Sequence, residues 1–149
     1  MIFEKVEDME LWPRAKEFWR RVDDLLRRPP FQNDRDISSQ LRRAADSIVS
    51  NIEEGFEQST DKMFAQYLYV SKGSNAEAIG RLKRAREKNY ISAAELRSFS
   101  EISSEIGRMT VGMIKHLAKS NRKNRRIGRK EEPRVPPPEP PVDAPPTND

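Results

Sequence analysis

Cysteine is absent from the 149 residues. That removes disulfides, thiol nucleophiles and zinc–thiolate sites together. Histidine occurs once, at His116. Carboxylate di-metal bundles need Glu-x-x-His pairs on facing helices, and the residue three before His116 is Met113. A lone histidine also leaves poor material for a nucleophile–base pair. No catalytic residue, metal site or cofactor is therefore expected. Long apolar runs are missing too: nothing approaches the roughly 18 residues of a membrane span, and mean hydropathy is −0.89. No membrane partner is expected. Alternation with period two is not sustained, which argues against a sheet. The opening "MIFEKVEDMELW" carries acids where a secretory leader needs a basic and then an apolar region, so a cytoplasmic protein of bacterial type is expected.

Charge is plentiful and unevenly placed. Residues 1–120 hold 21 Lys/Arg against 19 Asp/Glu. Residues 121–130, "NRKNRRIGRK", hold six basic residues and no acid, and residues 131–149 hold one arginine, five acids and eight prolines. Prolines remove backbone donors and favour extended backbone, and this last segment has almost nothing apolar to bury. The expected organisation is a folded domain over 1–120 and a disordered tail over 121–149, basic and then acidic and proline-rich. The tail reads as a solubilising segment, as a polyproline ligand for a partner, or as an acidic strand that folds back to mask the basic run.

Within 1–120 the apolar spacing predicts four helices. The first, over about 9–27, repeats Leu11/Trp12, Ala15, Phe18/Trp19, Val22 and Leu25/Leu26 at intervals of three and four; "RRPPFQN" then breaks the chain. The second covers about 35–54, with Asn33 or Asp34 as N-cap and Gly55 as the residue that ends it in a left-handed conformation. The third covers about 61–88, and its Gly73 reads as a point of close packing. The fourth covers about 93–120 and opens on a Ser92/Glu95 capping box. Four amphipathic helices with short links make an all-α, up-down-up-down four-helix bundle. Tyr69 and Val49 point away from their own core stripes, and the fourth helix has a wide apolar arc. These features suggest more apolar surface than one bundle buries.

On a helical wheel the second helix separates its polar residues into two sets. Arg42, Asp46 and Glu53 face outward, with Arg42 and Asp46 spaced to form a surface pair. Arg43, Ser47, Asn51 and Glu54 border the core, where unpaired polar groups are costly. They read as a structural hydrogen-bond network, or alternatively as a ligand or partner site. Glu54 sits at the helix end disfavoured for acids, so a cation from a neighbouring helix or subunit is expected beside it.

The stretches "SQLRRAADSIVSNIEEG" and "YVSKGSNAEAIGRL" resemble a known family: the four-helix-bundle proteins first noticed as intervening-sequence proteins in bacterial large-subunit ribosomal RNA genes. Ser39, Gln40, Leu41, Arg42, Arg43, Ala44, Ser47, Ile48, Asn51, Ile52, Glu54 and Gly55 match the first motif, and Gly73, Ser74 and Glu77 the second. Ser74 and Glu77 thereby join the structural polar network. Asp46, Val49, Glu53 and Asn75 depart from the usual pattern. The resemblance implies a ring, typically a homopentamer, without established enzymatic activity. It is also similar in fold to the accessory variability determinant proteins of diversity-generating retroelements, which implies nucleic acid and a reverse transcriptase as partners.

Nucleic-acid binding has independent support from the residues. Arg81, Lys83, Arg84, Arg86 and Lys88 crowd the end of the third helix. Lys115, Lys119, Arg122, Lys123, Arg125, Arg126, Arg129 and Lys130 carry the fourth into the tail. Such density attracts phosphate without reading sequence. No aromatic–basic platform for single strands is evident. The expected role is therefore a non-enzymatic oligomeric bundle that binds RNA or DNA through basic surfaces. The alternative is a protein-interaction scaffold with no nucleic-acid role.

Overall fold

The structure, a computed structural model, describes residues 3–123. A 3-10 turn at Val6–Asp8 leads into α1 (Leu11–Leu25), a single turn α2 (Pro29–Gln32), α3 (Arg35–Phe56), α4 (Asp61–Glu87) and α5 (Ala93–Ser120). Among the described residues there is no strand. The tail segment 124–149, with Arg125, Arg126, Arg129 and Lys130, lies outside the described residues.

The four long helices run alternately up and down. Ser47 of α3 meets Ser74 of α4, Asn75 of α4 meets Ser103 of α5, and Phe18 of α1 packs edge-on against Phe99 of α5 at 5.8 Å. Leu11, Ala15, Phe18, Val22 and Leu25 form the buried stripe of α1 at spacings of three and four, the pattern of a bundle helix. Ser92 accepts from the Glu95 N–H at 3.1 Å and Glu95 accepts from the Ser92 N–H at 3.0 Å, so the expected capping box opens α5. Asp34 fills the N-cap of α3 and accepts from the Ile37 N–H.

The core holds polar groups at set places. Ser71 donates to the Ile48 carbonyl at 2.9 Å, and Asn75 and Ser103 exchange two hydrogen bonds of 3.0 and 2.8 Å while buried. Each bond is satisfied, which avoids the roughly 1–3 kcal/mol cost of an orphaned buried group. A helix sliding by one turn would break these bonds, so they hold α4 in register with both neighbours.

Several local expectations are corrected. Gly55 does not end α3 in a left-handed conformation; it lies inside the helix, and Phe56 still follows as helix. A Cβ on Gly55 would lie 2.7 Å from Tyr67 Cβ and 2.8 Å from the Phe64 ring, so glycine admits α4 at close range. Gly73 has the opposite surroundings, with nothing within 4 Å of an added Cβ. "RRPPFQN" is not only a break: Pro29 and Pro30 start the turn α2, because proline's fixed φ suits a first turn. That turn buries Phe31 against Tyr90. Val49 is buried rather than outward, and Asp46 accepts from the Trp19 indole N–H instead of pairing with Arg42. The Asp46 contact comes from Trp19 of α1, on a flank of α3 that a wheel of α3 alone leaves open.

Candidate nucleic-acid interface

The polar seam between α3 and α4 is smaller than its motif. Ser47 and Ser74 share a hydroxyl hydrogen bond of 2.7 Å. Asn51 donates to the Ser47 carbonyl at 2.8 Å and to its hydroxyl at 3.0 Å, and Ser74 donates to the Val70 carbonyl. These three residues form the expected network. Arg43, Glu54 and Glu77 do not join it: all three are exposed and form no ion pair among the described residues. The register that joins Ser47 to Ser74 sets Arg43 level with Glu77 on the outer side of the seam.

The basic residues divide between the two ends of the bundle. Arg81, Lys83 and Arg84 lie in the last turns of α4, with Lys83 and Arg84 exposed and Arg84 loosely paired with Glu87 at 3.7 Å. Lys119, Arg122 and Lys123 lie at the end of α5. Because α4 and α5 are antiparallel, roughly 30 Å of helix separates the two groups. A single chain does not bring them into one patch.

At the α4 end much of the charge is already matched. Lys88 donates to Asp34 at 2.7 Å and Tyr90 donates to the same carboxylate at 2.8 Å. The Lys88 bond, then the Tyr90 bond, holds the Asp34 carboxyl below its ordinary pKa. The Asp34 carboxylate in turn raises both Lys88 and Tyr90. Arg28 and Glu95 pair at 2.6 Å, and that contact lowers the Glu95 carboxyl and raises Arg28.

The α5 end is built differently. Asp61, fully buried at the start of α4, accepts from the Ser120 hydroxyl and from the Arg122 N–H at 2.8 Å. The Asp61 N–H donates to the Arg122 carbonyl at 2.9 Å. The Arg122 side chain stands 3.6 Å from the same carboxylate. This clasp fixes Ser120 and Arg122 against the start of α4. Lys115, Lys119 and Lys123 are exposed there and form no ion pair among the described residues. The clasp joins residues about 60 positions apart, so no local pattern announces it.

Two further basic features were not legible. Lys16 lies over the rings of Trp12 and Trp19, 5.7 and 4.5 Å from their centres. An aromatic–basic cluster therefore exists on α1, signalled by the spacings of four and three, but its ammonium covers ring faces that a base would need. Lys72, Arg108 and Lys115 rim a groove of about 420 Å³ between α4 and α5, floored by Gly107, Val111 and Gly112. Among the described residues no acidic or histidine cluster could hold a metal, and no helix is long and apolar enough to cross a membrane.

The family model for the 23S rRNA-intervening sequence protein matches residues 7–112. No curated protein matches the chain. Among solved structures, the fold is similar to a protein of unknown function from the S23 ribosomal protein family of Bacteroides thetaiotaomicron. The TM-score is 0.65 and identity 23%, over 70% of this chain and 95% of that one. The chain belongs to the 23S rRNA-intervening sequence protein family.

Proposed function

We propose that this 23S rRNA-intervening sequence protein is a non-enzymatic, cytoplasmic bundle that binds RNA through the α5 end and acts as a homopentameric ring. The observation that carries the reading is the Asp61 clasp, flanked by Lys119 on one side and Lys123 on the other, neither in an ion pair among the described residues. Cations in such a run release counterions on meeting phosphate, which gives affinity without sequence readout. The family's connection with ribosomal RNA favours RNA over DNA. Copies arranged in a ring would concentrate cations that one chain leaves about 30 Å apart.

Assembly has its own support. Met63, Tyr69 and Val70 are exposed on α4 at 40%, 58% and 54%. Gly73 and Gly80 lie on the same outward side with open space beside them. Each glycine costs a helix interior about 1 kcal/mol against alanine, and nothing among the described residues packs against either to offset that cost. A neighbouring copy would use the bare backbone and supply partners for Arg43, Glu54 and Glu77. Mass measurement in solution should show about five chains; a stable monomer would remove the ring.

The same exposed apolar face favours a second reading, a protein-interaction scaffold. Association with a reverse transcriptase is one form of it, implied by the resemblance to retroelement accessory proteins. Crosslinking the native oligomer to nucleic acid separates the two readings. RNA crosslinks through residues 115–130 support the first. A defined protein partner that survives nuclease treatment, with no RNA crosslink, supports the second.

A further inference from the structure

We propose that the groove between α4 and α5 is the docking site for the chain's own acidic, proline-rich segment, residues 131–149. The groove joins an apolar floor to a cationic rim. Gly107, Val111 and Gly112 make the floor, and Gly112 has nothing within 4 Å of an added Cβ. Lys72, Arg108 and Lys115 make the rim. None of the three forms an ion pair among the described residues, although Arg108 also borders a shallow groove containing Glu101 and Glu105. Glu105 pairs instead with Arg14 at 3.1 Å. Three cations around apolar surface, with no acid between them, suit an extended segment that alternates apolar and acidic groups.

That composition is found in "EEPRVPPPEPPVDAPPTND". Its five acids outnumber its one arginine, so its net charge is opposite to that of the rim. Its prolines and Val135 and Val142 offer apolar surface with few donors to desolvate, and X-Pro sequences hold the backbone extended before contact. Tethering makes the encounter intramolecular, at high effective concentration. The reach is sufficient. From the end of α5 back to Gly107 is about 20 Å of helix at 1.5 Å per residue. The eight residues 123–130, past the clasp, span up to about 26 Å when extended. Glu139 and Asp143, each next to an apolar residue, are the carboxylates placed to meet Lys72 and Lys115. The proposal stands independently of RNA binding, since it rests on the groove and the segment alone.

Carbodiimide crosslinking of the full chain tests it, with the products mapped by mass spectrometry on a mixture of 14N- and 15N-labelled protein. The expected result is amide bonds from Lys72 or Lys115 to Glu139 or Asp143, within chains of one isotope. Arg108→Glu adds repulsion without removing a crosslinkable amine and should cut their yield several-fold. Glu139→Gln with Asp143→Asn, which lies outside the folded bundle, should abolish them. No bond from either groove lysine to residues 131–149 would overturn the proposal. So would a yield indifferent to Arg108→Glu in a protein whose helix content is unchanged. Mixed-isotope bonds near the half that random pairing gives in an equal, subunit-exchanged mixture would assign the groove to the segment of a second copy and overturn docking within the chain.

Discussion

The two ends of the bundle handle charge in opposite ways. At one end Asp34 gathers Lys88 and Tyr90, and Arg28 meets Glu95, so cations are matched on the surface. At the other the main acid, Asp61, is buried and spent on the backbone N–H of Arg122 and the hydroxyl of Ser120, which leaves Lys119 and Lys123 uncompensated. Counting basic residues along the chain treats both ends alike. Their partners show a difference of degree: two ion pairs tie down Lys88 and Arg28 at the first end, while Lys83 there and Lys119 and Lys123 at the other form none among the described residues.

Replacing Asp61 should separate the ends most sharply. Asp61→Ala removes the acceptor of two part-buried bonds, from the Arg122 N–H and the Ser120 hydroxyl, a loss of about 1–3 kcal/mol. Urea denaturation should show that loss, and hydrogen exchange should rise in the last turn of α5. An unchanged midpoint would mean that the clasp does not hold the α5 end.

The glycines offer a second contrast. Gly55→Ala places a Cβ against Tyr67 and Phe64, so α4 must shift; overpacking of this kind typically costs about 1–3 kcal/mol, offset by about 1 kcal/mol of helix propensity. Gly73→Ala meets open space and should stabilise a monomer by about 1 kcal/mol. If α4 packs on a neighbouring copy there, the same change should lower the assembly's mass in solution. A stabilised assembly of unchanged size would place the contact elsewhere.

The smallest effect belongs to the matched end and is read by pH. Asp34 has a lowered pKa in the fold, so its contribution is present above the unfolded value near 3.9 and is lost as pH falls through the folded value. The stability difference between wild type and Asp34→Asn, which keeps a capping oxygen, should therefore shrink between pH 7 and pH 3. Lys88 is exposed and Asp34 only partly covered, so solvent screens the pair and its contribution is small. Urea midpoints at the two pH values measure the difference, and a constant gap would contradict the Lys88 assignment.

What sequence made legible was local. The bounds of the last helix, its Ser92/Glu95 box and the stripe of α1 are each set within a few turns, where spacing and capping act. The misreadings of Gly55 and Asp46 share one cause, a neighbour on another helix. Gly55 resembles a helix terminator until Phe64 and Tyr67 are set beside it. Asp46 resembles a surface acid until Trp19 arrives from α1. Within the motif, Ser47, Asn51 and Ser74 were recognisable because they close on each other across two adjacent helices. Arg43, Glu54 and Glu77 find no partner in the described residues, so the motif alone overstated the network inside one chain. The separation of the basic groups was also hidden, because it depends on α4 and α5 running antiparallel.

The central claim is that cations beyond the Asp61 clasp bind RNA. A salt titration of RNA affinity tests it most directly, comparing the full chain with a variant carrying glutamine at Arg125, Arg126, Arg129 and Lys130, which leaves the clasp intact. Each phosphate contact adds roughly 0.7–0.9 to the slope of log affinity against log salt. The account predicts tight binding at low salt, a steep slope for the full chain, and a slope shallower by about 3 for the variant. Binding that ignores both salt and the four substitutions, or no binding at low salt, would contradict it.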